Sequence, residues 1–371
     1  HTAYRRQRQM CIRDRALGPV FSSASHGYDT LDYFTIDPRL GDDDDFDHLL
    51  QAAHARGLSV LLDGVFNHVS RRNRIVQDAQ SAGPDSDAGR MVRWCAGRLD
   101  VFEGHSDLVA LNHDNPAVRE HVTRIMNYWC GRGVDGWRLD AAYSVNPEFW
   151  AAVLPSVREK YPDVWIFGEV IHGDYASIVR ASGMDPVTQY ELWKGIWSSI
   201  ESRNFFELDH ALGRHNEFSD AFTPMTFVGN HDVTRIASRV GQDGAVLATA
   251  ILATIGGIPL IYYGDELAYR GVKEERFGGD DDIRPVFPAS PADLSNLGAD
   301  TLRAHQSLLG LRRRHPWLVD ARTESLDLTN ERYVYRTGVP GVEPLIVELD
   351  VRDGCSVLIR EAGQVVWSSG A

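Results

Sequence analysis

The chain has 371 residues, enough for one large barrel-type domain with a small appendage. Its 43% hydrophobic and 24% charged content is that of an ordinary soluble globular protein, and no run approaches the roughly 18 apolar residues of a membrane span. A formal net charge of −14 argues against a nucleic-acid partner and is neutral about an uncharged ligand.

Residues 1–15, HTAYRRQRQMCIRDR, are basic and lack apolar periodicity, so they are expected to be a non-native or aberrant segment. Regular patterning starts at residue 16. Phe46, Leu49, Leu50 and Ala53 recur at helical spacing, which predicts a helix over 45–56 with the acidic run Asp42–Asp45 at its N-terminus and Gly57 at its stop. LSVLLD (58–63) is a short buried strand. Asn115 followed by Pro116 opens a helix whose stripe Val118, Val122, Ile125, Met126 and Trp129 runs to Gly131. Next come a strand at VDGWRLD, a helix over 147–160 and a strand over 164–169. A further strand is expected at 187–191, followed by a helix over 192–203 in which Trp193 and Trp197 are packing residues. The remaining strands are expected over 225–230 and 258–266, with helices over 243–254 and 301–314. Beyond Pro316, RYVYRT, PLIVELD and QVVWSS are short strands split by Gly and Pro. Cys11, Cys95, Cys130 and Cys355 show no CxxC spacing and are expected to be buried or free thiols.

Nearly all-apolar strands alternating with helices predict a parallel sheet covered on both faces. The fold class is therefore α/β, a (β/α)8 TIM barrel with a small C-terminal all-β domain. The barrel is placed at 16–315, with a short insertion at 69–107, and a small β-sandwich-like domain at 316–371. Polar residues collect at the C-terminal ends of the strands, where such a barrel carries its active site. Arg138 and Asp140 are two apart, so on a strand they point to one side. Glu169 and Asp232 end two other apolar runs.

An arginine beside one carboxylate, with a second carboxylate arriving from another strand, suits acid–base or nucleophilic chemistry. Arg138 should hold Asp140 as an anion, while the apolar run before Glu169 should keep that carboxyl protonated. Blander readings exist for the individual residues. Asp63 could be a strand-end cap, His68 a satisfied core histidine and Glu169 a rim ion-pair partner. Tyr28 could be structural, and the acidic run Asp280–Asp282 could border a cleft or simply be solvated. His68, His231 and Asp232 could be metal ligands, but no His-x-His or Glu-x-x-His set accompanies them.

Six segments in order resemble the α-amylase family of retaining glycoside hydrolases over about residues 18–315. They are HGYDTLDYFTIDPRLG (26–41), DGVFNH (63–68), GWRLD (136–140), GEV (168–170), FVGNHD (227–232) and GIPLIYYGDE (257–266). The resemblance implies Asp140 as nucleophile, Glu169 as general acid/base and Asp232 as transition-state stabiliser. It implies that Arg138 orients Asp140, that Asp63, His68 and His231 line the same sugar subsite, and that Tyr28 stacks on the sugar. The implied partner is an oligosaccharide, with no nucleic acid and no membrane. Cytoplasmic location is expected.

Three departures qualify the resemblance. Ala110, in LVALN (108–112), stands where the family often carries a calcium-binding aspartate, so only Asn67 remains of that ligand pair and no cofactor is expected. Tyr143 and Ser144 stand where starch-degrading members often have Lys-His, which leaves α-1,4-linked maltooligosaccharides as the expected substrate in place of long starch. In the family LGPVF (17–21) would end barrel strand two. The chain is therefore expected to be N-terminally truncated, with the barrel lacking its first strand, and to be unstable alone. Rival functions are a transglycosylase or isomerase using the same covalent intermediate, and an inactive binding subunit, against which the three intact carboxylates speak.

Overall fold

The computed structural model describes residues 14–276 and 278–369. The chain divides into two compact units, one up to Val187 and one from Thr188. The segment 1–15 expected to be aberrant lies outside the described residues as far as position 13. Its last two residues, Asp14 and Arg15, instead join Ala16 in a short strand, β1.

In the first unit β1 is followed by β2 (Phe21–Ser23), β3 (Thr30–Ile36), β4 (Ser59–Gly64), β5 (His68–Ser70), β6 (Trp94–Cys95), β7 (Arg98–Leu99), β8 (Leu108–Ala110), β9 (Gly136–Leu139) and β10 (Trp165–Gly168). Four of them form a parallel sheet in the order β1-β4-β9-β10. Every residue of β9 and β10 is buried, as expected of strands covered on both faces. Helices Asp43–His54, Pro116–Gly131, Pro147–Lys160 and Tyr175–Ser182 connect or follow these strands. The first is capped as its sequence suggests. Asp42 accepts from the Asp45 backbone, Asp45 returns the bond to Asp42, and Phe46, Leu50 and Ala53 are buried. Asn115 caps the second by accepting from Ala117 N, and the expected apolar stripe is its buried face. The expected 69–107 insertion holds β5, helix Arg74–Ala82 and the hairpin β6–β7.

In the second unit the strand expected at 187–191 does not extend beyond isolated bridges. Thr188 bridges Met225, and Gln189 already caps a helix over Tyr190–Glu201. A second helix, Phe205–Ser219, capped by Asn204, was not foreseen. Strands β11 (Met225–Phe227) and β12 (Ile258–Leu260) form a two-stranded parallel pair on either side of helix Ile236–Thr254 in sequence. β12 ends at Leu260, well before residue 266, and Gly264, at φ 86°, then turns the chain into a single 3-10 turn at Asp265–Leu267. Helix Ala299–Arg314 follows. The chain then forms β13 (Arg322–Leu328), β14 (Arg332–Gly338), β15 (Leu345–Asp350), β16 (Ser356–Glu361) and β17 (Gln364–Ser368).

These last strands form one five-stranded antiparallel sheet, not a sandwich. β15 alternates buried and half-buried residues, which supplies one apolar face. That face joins a core with the Ala-rich helix Ile236–Thr254, through Tyr333, Tyr335, Leu345, Val347 and Leu349. Tyr335 Oη and Thr254 Oγ1 share a buried hydrogen bond of 2.7 Å. The sheet therefore lies in the same compact unit as residues 188–315. Among the described residues the parallel strands form a sheet of four and a pair, without closing a ring of eight. No helix among them is long and apolar enough to cross a membrane. Cys95 is exposed, Cys355 half-buried and Cys130 buried, and all three are free thiols.

Candidate active site

β4, β9 and β10 are neighbours in register, with Asp63 opposite Arg138 and Gly168 opposite Leu139. The ladder continues past the strand ends, since Asp140 N donates to Gly64 O and Glu169 N to Leu139 O. Asp63, Asp140 and Glu169 are thereby delivered to the C-terminal ends of three adjacent parallel strands. All three are buried.

One guanidinium holds them. Arg138 Nη1 donates to both oxygens of Asp63 at 2.6 Å and to Asp140 Oδ1 at 3.1 Å. Its Nη2 reaches Glu169 Oε2 at 2.9 Å. Burial alone would lower the Arg138 pKa, but the carboxylates around it raise it well above the ordinary arginine value. Burial pushes the Asp63 carboxyl up to about 6, against the pull of Arg138. The two shifts have different causes: neighbouring carboxylates favour the charged form of Arg138, whereas loss of water disfavours the charged form of Asp63.

The apolar setting expected for Glu169 is corrected here. Its Oε2 is bound by Arg138 and also accepts from Ala141 N at 3.1 Å. Ala141 takes a left-handed conformation, φ 44°, immediately after Asp140. Nothing about an alanine in a sequence announces that turn.

The other residues expected in this unit surround the same cluster. Tyr28 Oη donates to Asp63 Oδ2 at 3.0 Å, and its ring lies 5.9 Å from the Arg138 guanidinium carbon. His68 is buried, with Nε2 bonded to Tyr28 O at 3.0 Å and Nδ1 to Asn67 Nδ2 at 3.1 Å. Its ring stacks on Phe102 at 4.6 Å. Burial pulls its pKa down to about 4, so the imidazole is neutral and fixes the Tyr28 backbone. Tyr143 donates to Glu103 Oε1 at 2.7 Å, and its ring lies 5.2 Å from that of His172.

His231 and Asp232 lie in the second unit, in the segment after β11. Asp232 N donates to Asn230 Oδ1, and His231 Nε2 lies 3.1 Å from Asp232 Oδ2. Arg284, which sequence reasoning missed, donates to Asp232 Oδ1 and to His231 O, both at 2.8 Å. It also pairs with Asp280 at 2.9 Å. Its only sequence signal is an arginine four positions after the first residue of the acidic run. Trp193 stacks on Phe227 at 6.2 Å and Arg239 covers Trp197 at 3.9 Å, which are packing roles as expected.

Residues 9–100 and 98–322 match the sequence pattern of the alpha-amylase catalytic domain. The chain belongs to the alpha-amylase family. It is 32% identical over 292 residues to alpha-amylase 3 of Dictyoglomus thermophilum, covering 70% of this chain and 58% of that protein. It is 31% identical over 325 residues to the maltogenic alpha-amylase of Bacillus acidopullulyticus, covering 81% and 53%. The chain thus spans about half the length of the curated relatives it matches. The crystal structure of an alpha-amylase from H. orenii superposes with a TM-score of 0.78 at 26% identity, covering 92% of this chain and 80% of that one.

Ala110 pairs with His68 across β8 and β5, and Asn67 Oδ1 is buried without a hydrogen-bond partner.

Proposed function

We propose that the chain cleaves α-glucosidic bonds, α-1,4 bonds first among them, in maltooligosaccharides or related α-glucans, with retention through a covalent glycosyl–enzyme intermediate. The observation that carries this reading is the single Arg138 guanidinium shared by Asp63, Asp140 and Glu169. Retention needs two carboxyls about 5–5.5 Å apart, one attacking and one protonating. Two carboxyls bound by different nitrogens of one guanidinium suit that spacing.

In the first step Asp140 attacks the anomeric carbon while Glu169 protonates the departing oxygen. One negative charge leaves Asp140 as its ester forms, and one appears on Glu169 as it gives up its proton. The number of anions facing Arg138 is unchanged across the step. The cation therefore stabilises the charge at either position without rearranging, the kind of preorganisation that lowers barriers in a buried site. In the second step Glu169, now an anion held by Arg138 and Ala141 N, takes a proton from water and the ester is hydrolysed.

Asp232 is the transition-state stabiliser in this reading, and His231 a sugar contact. Tyr28 supplies the stacking face, with Asp63 and His68 holding it in place. The (β/α)8 barrel belongs to the same proposal, supported by the parallel strands in both units and by the family. Activity without calcium is also proposed, because Ala110 removes a ligand; activity that survives thorough chelation agrees with it, and complete loss contradicts it.

Transfer to a second sugar in place of water uses the same intermediate. Product profiling on maltotriose, maltooligosaccharides, trehalose, sucrose and starch separates the outcomes. Shorter sugars released as the α-anomer support hydrolysis with retention. Longer or rearranged sugars assign transfer or isomerisation, and release as the β-anomer sinks the mechanism.

A further inference from the structure

Arg235 is among the largest side chains with essentially no exposed surface, and it is not among the residues assigned a role above. A fully buried arginine is costly unless its donors are matched. Here Nε donates to Ile283 O at 3.1 Å, and Nη1 donates to Tyr263 O and to Asp265 Oδ1, the latter at 3.0 Å. The backbone N of Arg235 donates to Gly271 O. The guanidinium carbon lies 4.1 Å from the centre of the Tyr262 ring and 5.0 Å from that of Tyr263. Two other segments of the second unit converge on this one side chain, which itself stands in the run after β11: the run after β12 and the turn at Ile283.

Two of these contacts lead to Asp232. Ile283, whose carbonyl Arg235 holds, immediately precedes Arg284, and Arg284 bonds both Asp232 Oδ1 and His231 O. Asp265 presses on the same segment from the other side. A Cβ at Gly229 would stand 2.4 Å from Asp265 Oδ2, so only glycine lets the backbone leading to Asn230, His231 and Asp232 approach the carboxylate this closely.

We propose that Arg235, locked by Asp265, is a positioning residue that sets where the Asp232 carboxylate sits. The role rests on the reading of Asp232 as transition-state stabiliser. Arg235 touches no substrate; it acts through Ile283 and Arg284 on one side and through Asp265 and Gly229 on the other. A lysine at this position keeps the charge but not the planar fork that reaches two carbonyls and a carboxylate at once.

The test combines kinetics with a titration. Arg235→Lys is expected to lower kcat on the order of 100-fold with KM unchanged, as for a misplaced transition-state contact. In an Asp232→Asn background the same change is expected to cause no further loss, because its path to catalysis is already cut. Independent, additive losses overturn the proposal. Gly229→Ala, which pushes on Asp265, is expected to show the same kcat loss and the same non-additivity, and it serves if Arg235→Lys does not fold. The second readout is the proton NMR titration of His231, assigned through His231→Gln. Releasing Arg284 from Asp232 leaves more negative charge beside the imidazole, so its pKa is expected to rise in Arg235→Lys. An unmoved His231 titration overturns the proposal without reference to activity. Wild-type activity in Asp232→Asn alone sinks the catalytic reading of Asp232 instead, and the titration still decides whether Arg235 positions it.

Discussion

Each unit of this protein buries an arginine against carboxylates, and the two arginines do different work. Arg138 faces three carboxylates, two of which the proposed reaction uses directly. Arg235 faces one carboxylate, Asp265, and its Nε and Nη1 also donate to backbone carbonyls, while Nη2 has no hydrogen-bond partner. The contrast shows two ways to keep a buried cation. At Arg138 three acids gather round one cation, which suits the proton transfer proposed for this site. At Arg235 a single carboxylate, Asp265, itself raised to about 7 by burial, meets the guanidinium, which suits a fixed support one layer behind Asp232, whose own partner Arg284 is partly solvated.

The comparison can be tested from its largest expected effect downwards. Glu169→Gln or Asp140→Ala is expected to lower hydrolysis by about 10³-fold or more in steady-state assays, since each removes a group used in every turnover. Near-normal turnover in either variant breaks the comparison at its root. Next, one kind of substitution should act unequally in the two clusters. Asp265→Asn leaves Arg235 without its carboxylate and is expected to cost about 3–5 kcal/mol in denaturant unfolding. Asp63→Asn leaves Arg138 with Asp140 and Glu169, and the expected cost is under about 1 kcal/mol near neutral pH. Equal losses would show that Arg138 has no surplus of acid.

The pH dependence sharpens the same point. The Asp63 carboxyl is raised to about 6 by burial, so the folded protein holds this proton more tightly than the unfolded chain does. Its stabilising contribution is complete below about pH 4 and is lost as pH rises through 6. The difference in stability between Asp63→Asn and the parent should therefore shift in favour of the variant between pH 4 and 7, and a flat difference contradicts the raised pKa. The smallest effect concerns Arg284. Its pairing with Asp232 is partly solvated, so Arg284→Ala is expected to change stability by about 1 kcal/mol or less while lowering activity. A loss as large as that of Asp265→Asn would place Arg284 among the buried supports.

Much of this was legible before the fold. Asn115-Pro116 and Asp42–Asp45 open helices through bonds made within a few residues, so their sequences carry the signal directly. Arg138 and Asp140 share a side because a strand repeats every two residues. Helix Phe205–Ser219 escaped because its buried residues, Phe205, Leu208, Ala211, Leu212, His215 and Phe218, mix aromatic, small and polar types and blur the apolar period. Alternation along β15 announces one apolar face but not that helix Ile236–Thr254 covers it.

By itself the sequence determined the parallel α/β pattern and the placing of Asp140 and Glu169 just past the ends of apolar strands. Those properties are local, set by residue type and spacing. Only the tertiary structure decided that one guanidinium serves Asp63, Asp140 and Glu169, that Ala141 turns its N–H onto Glu169, that the C-terminal sheet shares a core with helix Ile236–Thr254, and that Arg235 braces the segment of Asp232. Each of these joins residues tens of positions apart or requires a backbone angle that the residue type does not favour. Through-space charge and packing settle such matters, and no spacing along the chain encodes them.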